Sequence, residues 1–184
     1  MILIIDNYDS FVYNLYQFVG SINPDVKVVK NDKITVEEVK ILNPSHIILS
    51  PGPGRPVDAG IIEDLIRNIH NIPILGVCLG HQAICEVFGL DIINAKEICH
   101  GKKDEISIDN NAYLFKGLGE KIEVARYHSL IGSGESDELK VVAFNSNKEI
   151  MAVEHNKYPI YGLQFHPESI LTKDGMTIIK NFLR

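Results

Sequence analysis

The sequence has no tryptophan and only 3 cysteines, and its 18 lysines and arginines are outnumbered by 24 aspartates and glutamates. Cys78, Cys85 and Cys99 contain no C-x-x-C pair, so they are too few for a disulfide framework or a four-ligand zinc site. The adjacent pair Cys99 and His100 also lacks the ligand count for a metal, and we expect neither a metal nor a cofactor. Reduced thiols favour a cytoplasmic protein.

The chain also lacks a basic surplus and any long hydrophobic run. Its formal net charge of -6 offers no clustered positive charge for nucleic acid or an anionic membrane, so we expect neither as a partner. No apolar run approaches the roughly 20 residues that span a bilayer. The apolar start at residues 1–5 is followed at once by Asp6 and has no basic segment, which predicts a buried strand rather than a signal peptide.

The length of 184 residues predicts a single domain over residues 1–184. A domain of this size buries about 70% of its unfolded surface, enough for a proper core. In the first half, short apolar runs alternate with amphipathic stretches, the pattern of β-α units in a parallel sheet. The predicted strands are residues 2–5, 26–29, 46–49 and 74–77.

Helices are predicted between these strands from caps and apolar spacing. Asp9 or Ser10 could cap a first helix that ends at Gly20, Thr35 and Glu38 have capping-box form, and Asp58 could cap a third helix. A fourth helix is predicted over residues 79–88. The expected buried face of the first helix consists of Phe11, Leu15, Phe18 and Val19, and that of a C-terminal helix within residues 172–183 consists of Met176, Ile179, Phe182 and Leu183.

After residue 91 the sequence changes to short β-type runs separated by turn residues. The runs at 106–108, 141–144 and 161–165 predict antiparallel strands added at a sheet edge. The predicted fold is therefore a three-layer α/β domain, with a mainly parallel open sheet, helices on both faces and antiparallel edge additions. In such sheets ligands bind at the carboxyl ends of the strands, so the chemistry is expected in the turns there.

Cys78 lies in such a turn, in the pattern G-x-C-x-G between a predicted strand and a predicted helix. Gly76 and Gly80 permit a sharp turn that presents the cysteine above the sheet, beside free backbone N–H groups. The positive end of the following helix favours the thiolate. A buried cysteine that merely packs as a small apolar residue is the alternative, and this interpretation is retained for Cys85 and Cys99.

A cysteine nucleophile needs a base and a group that orients the base. His166 follows a β-type run, and Glu168 is two residues further on, so both side chains can point to the same side of an extended segment. A surface His-Pro-Glu turn is the alternative interpretation. The loop at residues 50–54 adds a third element, because Gly52 can bring its backbone N–H to an oxyanion, with the N–H of Leu79 as second donor.

Three motifs in this order carry a family resemblance: S-P-G-P-G at 50–54, G-V-C-L-G-H-Q at 76–82 and Q-F-H-P-E-S at 164–169. Together they resemble the class I (triad) glutamine amidotransferases. The segments at 5–11, 13–15, 100–102 and 126–130 are similar to the glutaminase component of anthranilate synthase, and the para-aminobenzoate branch uses a very similar subunit. The likeness runs from residue 1 to about residue 183, and no triad position departs from the pattern.

The resemblance implies that Cys78 attacks the side-chain amide of glutamine, that His166 acts as base and acid, and that Glu168 orients His166. It also implies a set of substrate-binding positions, namely Gly52, Pro53, Gly54, Gln82, Ser129 and Leu130. No step in this chemistry uses a cofactor. A glutamine in the first turn of a helix is usually just solvated, so Gln82 rests on the resemblance alone.

Ammonia loses its nucleophilicity when water protonates it, and the chain is too short for a second active site that would consume it. The resemblance therefore implies a larger chorismate-binding synthase subunit, either anthranilate synthase component I or aminodeoxychorismate synthase component I. The loop at residues 6–11 could touch this partner, or it could only cap the helix. The alternatives left open are the folate branch or dual use, the glutaminase of a split GMP synthetase, a free-standing cysteine hydrolase and a non-catalytic regulatory subunit.

Overall fold

The computed structural model describes residues 1–184, which form a nine-stranded sheet, a two-stranded sheet and five α-helices. The strands are β1 (Ile2–Asp6), β2 (Val26–Lys30), β3 (His46–Leu49), β4 (Ile74–Val77), β5 (Asp91–Asn94), β6 (Lys102–Ile108), β7 (Lys121–Arg126), β8 (Leu130–Ser133), β9 (Leu139–Phe144), β10 (Ile150–His155) and β11 (Ile160–Leu163). The helices are α1 (Val12–Gly20), α2 (Val36–Leu42), α3 (Ile62–Asn68), α4 (Leu79–Val87) and α5 (Gly175–Phe182). None of these helices is long and apolar enough to cross a membrane.

The large sheet has the strand order β2-β1-β3-β4-β11-β10-β9-β6-β7. The first five of these strands are parallel, and the remaining four are added antiparallel. The antiparallel additions predicted at 106–108 and 141–144 are present as β6 and β9. The prediction for 161–165 was wrong, because β11 lies parallel to β4 near the centre of the sheet. The short, apolar sequence of β11 is compatible with an edge strand and equally compatible with a central strand that is covered on both faces.

Helices cover both faces of the sheet and create two apolar cores. Alternate residues of β1 point to opposite sides, so Ile2 and Ile4 pack with α1 and α5, while Leu3 and Ile5 pack with α2, α3 and α4. The parallel strands are therefore buried from both sides. The predicted three-layer α/β fold with antiparallel additions is confirmed.

Helix starts agree with the sequence only in part. The capping box of α2 is confirmed, since the Thr35 hydroxyl accepts from the Glu38 N–H and the Glu38 carboxylate accepts from the Thr35 N–H. The predicted caps of α1 were wrong. Phe11 occupies the N-cap position without a side-chain cap, and the Asp9 N–H instead donates to the Asp6 carboxylate. Phe11 is also 59% exposed rather than part of the buried face.

The third helix begins later than the sequence suggested, whereas the C-terminal helix lies within its predicted range. Asp58 belongs to a short 3₁₀ turn, and α3 begins at Ile62 without a side-chain cap. In the C-terminal helix, Ile179 and Phe182 are buried as predicted, whereas Met176 is only half-buried. These differences concern only the helices. The carboxyl ends of the central strands, where the chemistry is expected, lie as predicted.

Candidate active site

Cys78 connects the end of β4 to the start of α4 in a sharp turn. Its backbone has φ 52° and ψ −100°, a conformation that side-chain-bearing residues rarely adopt. Close packing around the turn holds it there: a Cβ atom on Gly80 would lie 2.5 Å from the Leu49 carbonyl oxygen, and one on Gly76 would overlap the Gly80 backbone. The two glycines are therefore required by the fold, as the elbow pattern predicts.

His166 and Glu168 follow β11, the parallel neighbour of β4. Because the carboxyl ends of parallel strands meet at one edge, the segment after β11 comes to lie beside Cys78. Here His166 Nδ1 and Glu168 Oε1 are 2.7 Å apart, a short charge-assisted hydrogen bond. The backbone of His166 is held by the Ala125 carbonyl and the Thr172 hydroxyl. The predicted pair is thus assembled and oriented.

Electrostatics place a positive charge next to the thiol. Burial lowers the pKa of His166, but the Cys78 side chain and the Glu168 carboxylate together raise it to about 10. At neutral pH the imidazole is therefore protonated beside the Cys78 sulfur, an arrangement that favours the thiolate form of a cysteine.

These side chains border a cavity of about 520 Å³. Its walls include Asp9, Gly52, Cys78, Tyr127, His166 and Glu168. Three buried atoms of these residues have no hydrogen-bond partner within the protein: Asp9 Oδ2, His166 Nε2 and Glu168 Oε2. Unpaired polar atoms on residues that line one cavity indicate a site for a polar molecule.

The loop at residues 50–54 is anchored to the end of β1. The Asn7 N–H donates to the Ser50 hydroxyl, and the Asn7 side-chain amide donates to the Ser50 carbonyl. Gly52 packs so closely that a Cβ atom would lie 2.5 Å from the Asn7 carbonyl oxygen. Of the loop's predicted substrate-binding residues, Gly52 borders the cavity, whereas Pro53 and Gly54 are exposed outside its walls.

The other predicted binding residues lie behind or beside the cavity wall. Leu79 is buried as the first residue of α4, and Ser129 and Leu130 lie where β7 turns into β8. Gln82 is buried, with its amide donating to the Leu130 carbonyl and to Gln164. None of these four is part of the cavity lining.

Two residues near the sulfur were missed by the sequence analysis. The Gln164 amide donates to Cys78 Sγ at 3.7 Å, and the Tyr127 ring stands edge-on to the His166 ring at 5.1 Å. Gln164 could have been found, because it lies two residues before His166 in an extended segment. Tyr127 follows β7 within the segment at residues 126–130, but nothing in that segment indicates a contact with His166.

The family described as glutamine amidotransferase class-I matches residues 3–184 of this chain. The chain belongs to this family. The anthranilate synthase component 2 of Cyanophora paradoxa is 51% identical over 100% of this chain and 98% of its own length. The aminodeoxychorismate/anthranilate synthase component 2 of Bacillus subtilis is 46% identical over 100% of this chain and 95% of its length.

Other amidotransferase relatives are longer or more distant. The bifunctional protein TrpGD of Thermotoga maritima is 48% identical over 99% of this chain, which spans only 32% of that protein. The solved structure of a Thermoplasma acidophilum protein, described as a putative GMP synthase subunit, has a TM-score of 0.89 and 28% identity, with coverage of 99% of this chain and 91% of the other. The chain is thus an amidotransferase by sequence and by fold.

Proposed function

We propose that this chain is a glutaminase subunit that hydrolyses glutamine through Cys78, His166 and Glu168 and passes the ammonia to a chorismate-using synthase subunit, which makes anthranilate. The observation that carries this proposal is the 2.7 Å hydrogen bond between His166 and Glu168 beside a thiol in a strained elbow. The full-length similarity to a protein named anthranilate synthase component 2 supports the choice of product. Residues 1–184 would act as one amidotransferase domain.

The reaction proceeds in two displacements. The Cys78 thiolate attacks the side-chain amide carbon of glutamine, and His166 donates its proton to the leaving nitrogen, so ammonia departs and a γ-glutamyl thioester remains. Water then attacks the thioester while His166 takes up the water's proton. Collapse of this second intermediate breaks the C–S bond and releases glutamate. Glu168 keeps the imidazole oriented and stabilises its charged form.

Both displacements pass through a tetrahedral oxyanion. We assign its stabilisation to the backbone N–H groups of Gly52 and Leu79, each worth roughly 10² to 10³ in rate if optimally placed. Two observations support this: Gly52 borders the cavity, and a Cβ atom there would lie 3.0 Å from a Leu79 methyl carbon. The family resemblance assigns Pro53, Gly54, Gln82, Ser129 and Leu130 to the remaining groups of the substrate, although none of them borders the cavity.

The synthase subunit is expected to cover the mouth of the cavity, because free ammonia becomes protonated in water and ceases to be a nucleophile. Phe11 and Ile170 border the cavity and are 59% and 95% exposed. Large apolar side chains exposed together are typical of interaction surfaces. They support a partner docked there, next to the loop at residues 6–11.

The central test is Cys78→Ser in the complex with the synthase subunit. Glutamine-dependent amination should fall by at least about 10³-fold, because the nucleophile is lost. Amination from ammonium salts should persist, because the synthase subunit remains intact. Product formation measured with each nitrogen source decides the matter, and a serine variant that still uses glutamine would overturn the proposal.

The para-aminobenzoate branch is the second candidate. The aminodeoxychorismate synthase component 2 of Escherichia coli is 45% identical over 100% of this chain and 99% of its own length. The partner's chemistry decides the aromatic product. Purifying the complex from its native cells and identifying the product formed from chorismate and glutamine distinguishes anthranilate from aminodeoxychorismate and from dual use.

A further inference from the structure

A chain of buried hydrogen bonds leads away from the Cys78 sulfur into the protein. Gln164 is fully buried, and its Nε2 donates to Cys78 Sγ at 3.7 Å. Its Oε1 accepts from Gln82 Nε2 at 3.3 Å. The Gln82 amide also donates to the Leu130 carbonyl oxygen at 2.9 Å. Two side-chain amides therefore connect a backbone carbonyl to the reacting sulfur.

The direction of this chain is determined at its carbonyl end. A carbonyl oxygen can only accept, so Gln82 must present its NH₂ group to Leu130. That NH₂ group also reaches Gln164, which must in turn present its oxygen. The Gln164 NH₂ group is left facing the sulfur. The opposite orientation of either amide would set like groups against each other inside the protein.

His128 makes the second hydrogen bond to the same carbonyl. Its Nδ1 lies 3.0 Å from the Leu130 oxygen, and its Nε2 lies 3.0 Å from Arg126 Nε. A guanidinium only donates, so Nε2 must accept and Nδ1 must carry the proton. Burial and the Arg126 charge lower the pKa of His128 to about 4, which keeps the ring neutral in this tautomer.

Arg126 holds the far end of the chain rigidly. Its guanidinium is 2% exposed and is paired with Asp104 and Glu149. Glu149 in turn accepts from the Asn145 side chain and the Lys96 N–H. A buried arginine with two carboxylate partners cannot change its orientation without leaving charges unpaired. The tautomer of His128 is thus fixed from outside the active site.

We propose that Gln164 is a further residue of the reacting centre, which donates an amide hydrogen bond to the Cys78 sulfur, and that His128 is a positioning residue that holds the Leu130 carbonyl in place for Gln82 and, through Gln82, for Gln164. A donor at the sulfur stabilises the thiolate before attack and when the thioester is hydrolysed. The inference rests on the proposed glutamine hydrolysis, because it assigns roles within that site.

Gln164→Glu tests the donor with almost no change of shape. As a carboxylate, the new side chain still accepts from Gln82 but turns an oxygen toward the sulfur, so it removes the donor and adds a negative charge beside the thiol. Alkylation of Cys78 by iodoacetamide at neutral pH, followed by mass spectrometry of the Cys78 peptide, should slow about tenfold, because alkylation reports the thiolate fraction. Gln17→Glu makes the same change on the exposed side of α1 and serves as the control. An unchanged alkylation rate in Gln164→Glu would overturn the role of Gln164.

A pair of His128 variants tests the positioning role. Asparagine places its NH₂ group near the position of Nδ1 and keeps the donor to Leu130, whereas glutamine keeps the acceptor for Arg126 and loses that donor. Cys78 should be alkylated about threefold more slowly in His128→Gln than in His128→Asn, the size of one weakened hydrogen bond. Equal rates in two variants of equal thermal stability would refute positioning by His128.

The outcomes separate this inference from the proposed function. Glutamine hydrolysis that depends on Cys78 but is indifferent to Gln164 and His128 refutes only the inference. Amination that does not depend on Cys78 refutes the proposed function itself. If Gln164→Glu does not fold, the two His128 variants decide, since their comparison leaves Gln164 in place.

Discussion

Cys78, the proposed nucleophile, has an unfavourable backbone conformation. A residue with a side chain at φ 52° costs on the order of 1–3 kcal/mol, which the surrounding packing must offset. The offset comes from Gly76 and Gly80, which let β4, α4 and the Leu49 carbonyl approach closely. Because the glycines lie two residues on either side, the turn and its nucleophile could be predicted from the sequence.

Glu168 provides a test of the base at the same scale. Gln in its place can hydrogen-bond to Nδ1 but carries no charge to stabilise the imidazolium. We expect kcat for glutamine hydrolysis to fall by about 10² to 10⁴ with a smaller change in KM, measured as glutamate release by the complex. Glu123→Gln, which removes an exposed surface carboxylate, is the control. A loss below about threefold would contradict the triad assignment.

The residues behind the sulfur illustrate what the sequence could not show. Gln82 and Gln164 are 82 residues apart and meet only because α4 packs against β11. Arg126 and His128 lie in a motif that is recognisable in the sequence, but the carboxylates that pair with Arg126 come from β6 and from the residue before β10. A motif indicates which residues have a function. The contacts of those residues depend on how strands that are distant in the sequence pair.

At the level of elements, local signals were reliable and non-local ones were not. The capping box of α2 closes within four residues, so Thr35 and Glu38 suffice to predict it. The side chain of Asp9 is an equally good capping group. However, the backbone N–H of Asp9 donates to the Asp6 carboxylate, and Asp9 lines the cavity instead of capping α1. The position of β11 at the centre rather than the edge depends on pairing with β4, which no local pattern encodes.

Helix α4 packs closely against β3 at Gly80, the second glycine of the elbow. A substitution at Gly80 therefore tests the packing of these two elements. A Cβ atom in Gly80→Ala would lie 2.5 Å from the Leu49 carbonyl oxygen, so α4 must shift away from β3. We expect a loss of about 1–3 kcal/mol in the free energy of unfolding and a fall in kcat, measured by urea denaturation and glutamate release. Gly20→Ala, where nothing lies within 4 Å of the new methyl group, should be neutral or slightly stabilising. Equal behaviour of the two variants would show that the elbow is not tightly packed.

On the scale of the whole molecule, the site lies where the sheet changes direction. Strands β4 and β11 are the last parallel pair, and β10 begins the antiparallel part. The nucleophile follows β4 and the base follows β11, so the two groups share one edge without sharing a local segment. The class of fold and the location of the site could be predicted from the sequence. Both depend on the alternation of strands and helices along the chain, which the sequence pattern shows, and not on the place of each strand in the sheet.

Buried histidines should make the whole protein sensitive to acid. Burial, with nearby positive charge, lowers the pKa of His81 to about 3 and that of His128 to about 4. As the pH falls from about 6.5 toward 4, the unfolded chain takes up these protons and the folded protein does not. Each group then lowers the free energy of unfolding by about 1.4 kcal/mol per pH unit. The pKa of His166 is raised, so the folded form stays protonated throughout this range. Its unfolded form takes up its proton near pH 6.5, so His166 opposes the slope only at the upper end of the range.

The measurement is urea denaturation between pH 6 and pH 4.5. His128→Asn should reduce the pH slope of the unfolding free energy by about 1 kcal/mol per unit, since it removes the titration of this group. His100→Asn, at an exposed position, is the matched control. A slope that is the same in His128→Asn and in the unmodified protein would contradict the burial of a neutral imidazole at this position.

The central place of β11 also sets the order in which the enzyme acquires its chemistry during synthesis. The nucleophile and its elbow precede β5 to β10 in the chain, whereas the strand that brings the base follows all of them. Since β11 must insert between β4 and β10, the thiol meets its imidazole only when all the other strands have been made. A chain that ends before β11 therefore carries the cysteine without its base and cannot hydrolyse glutamine.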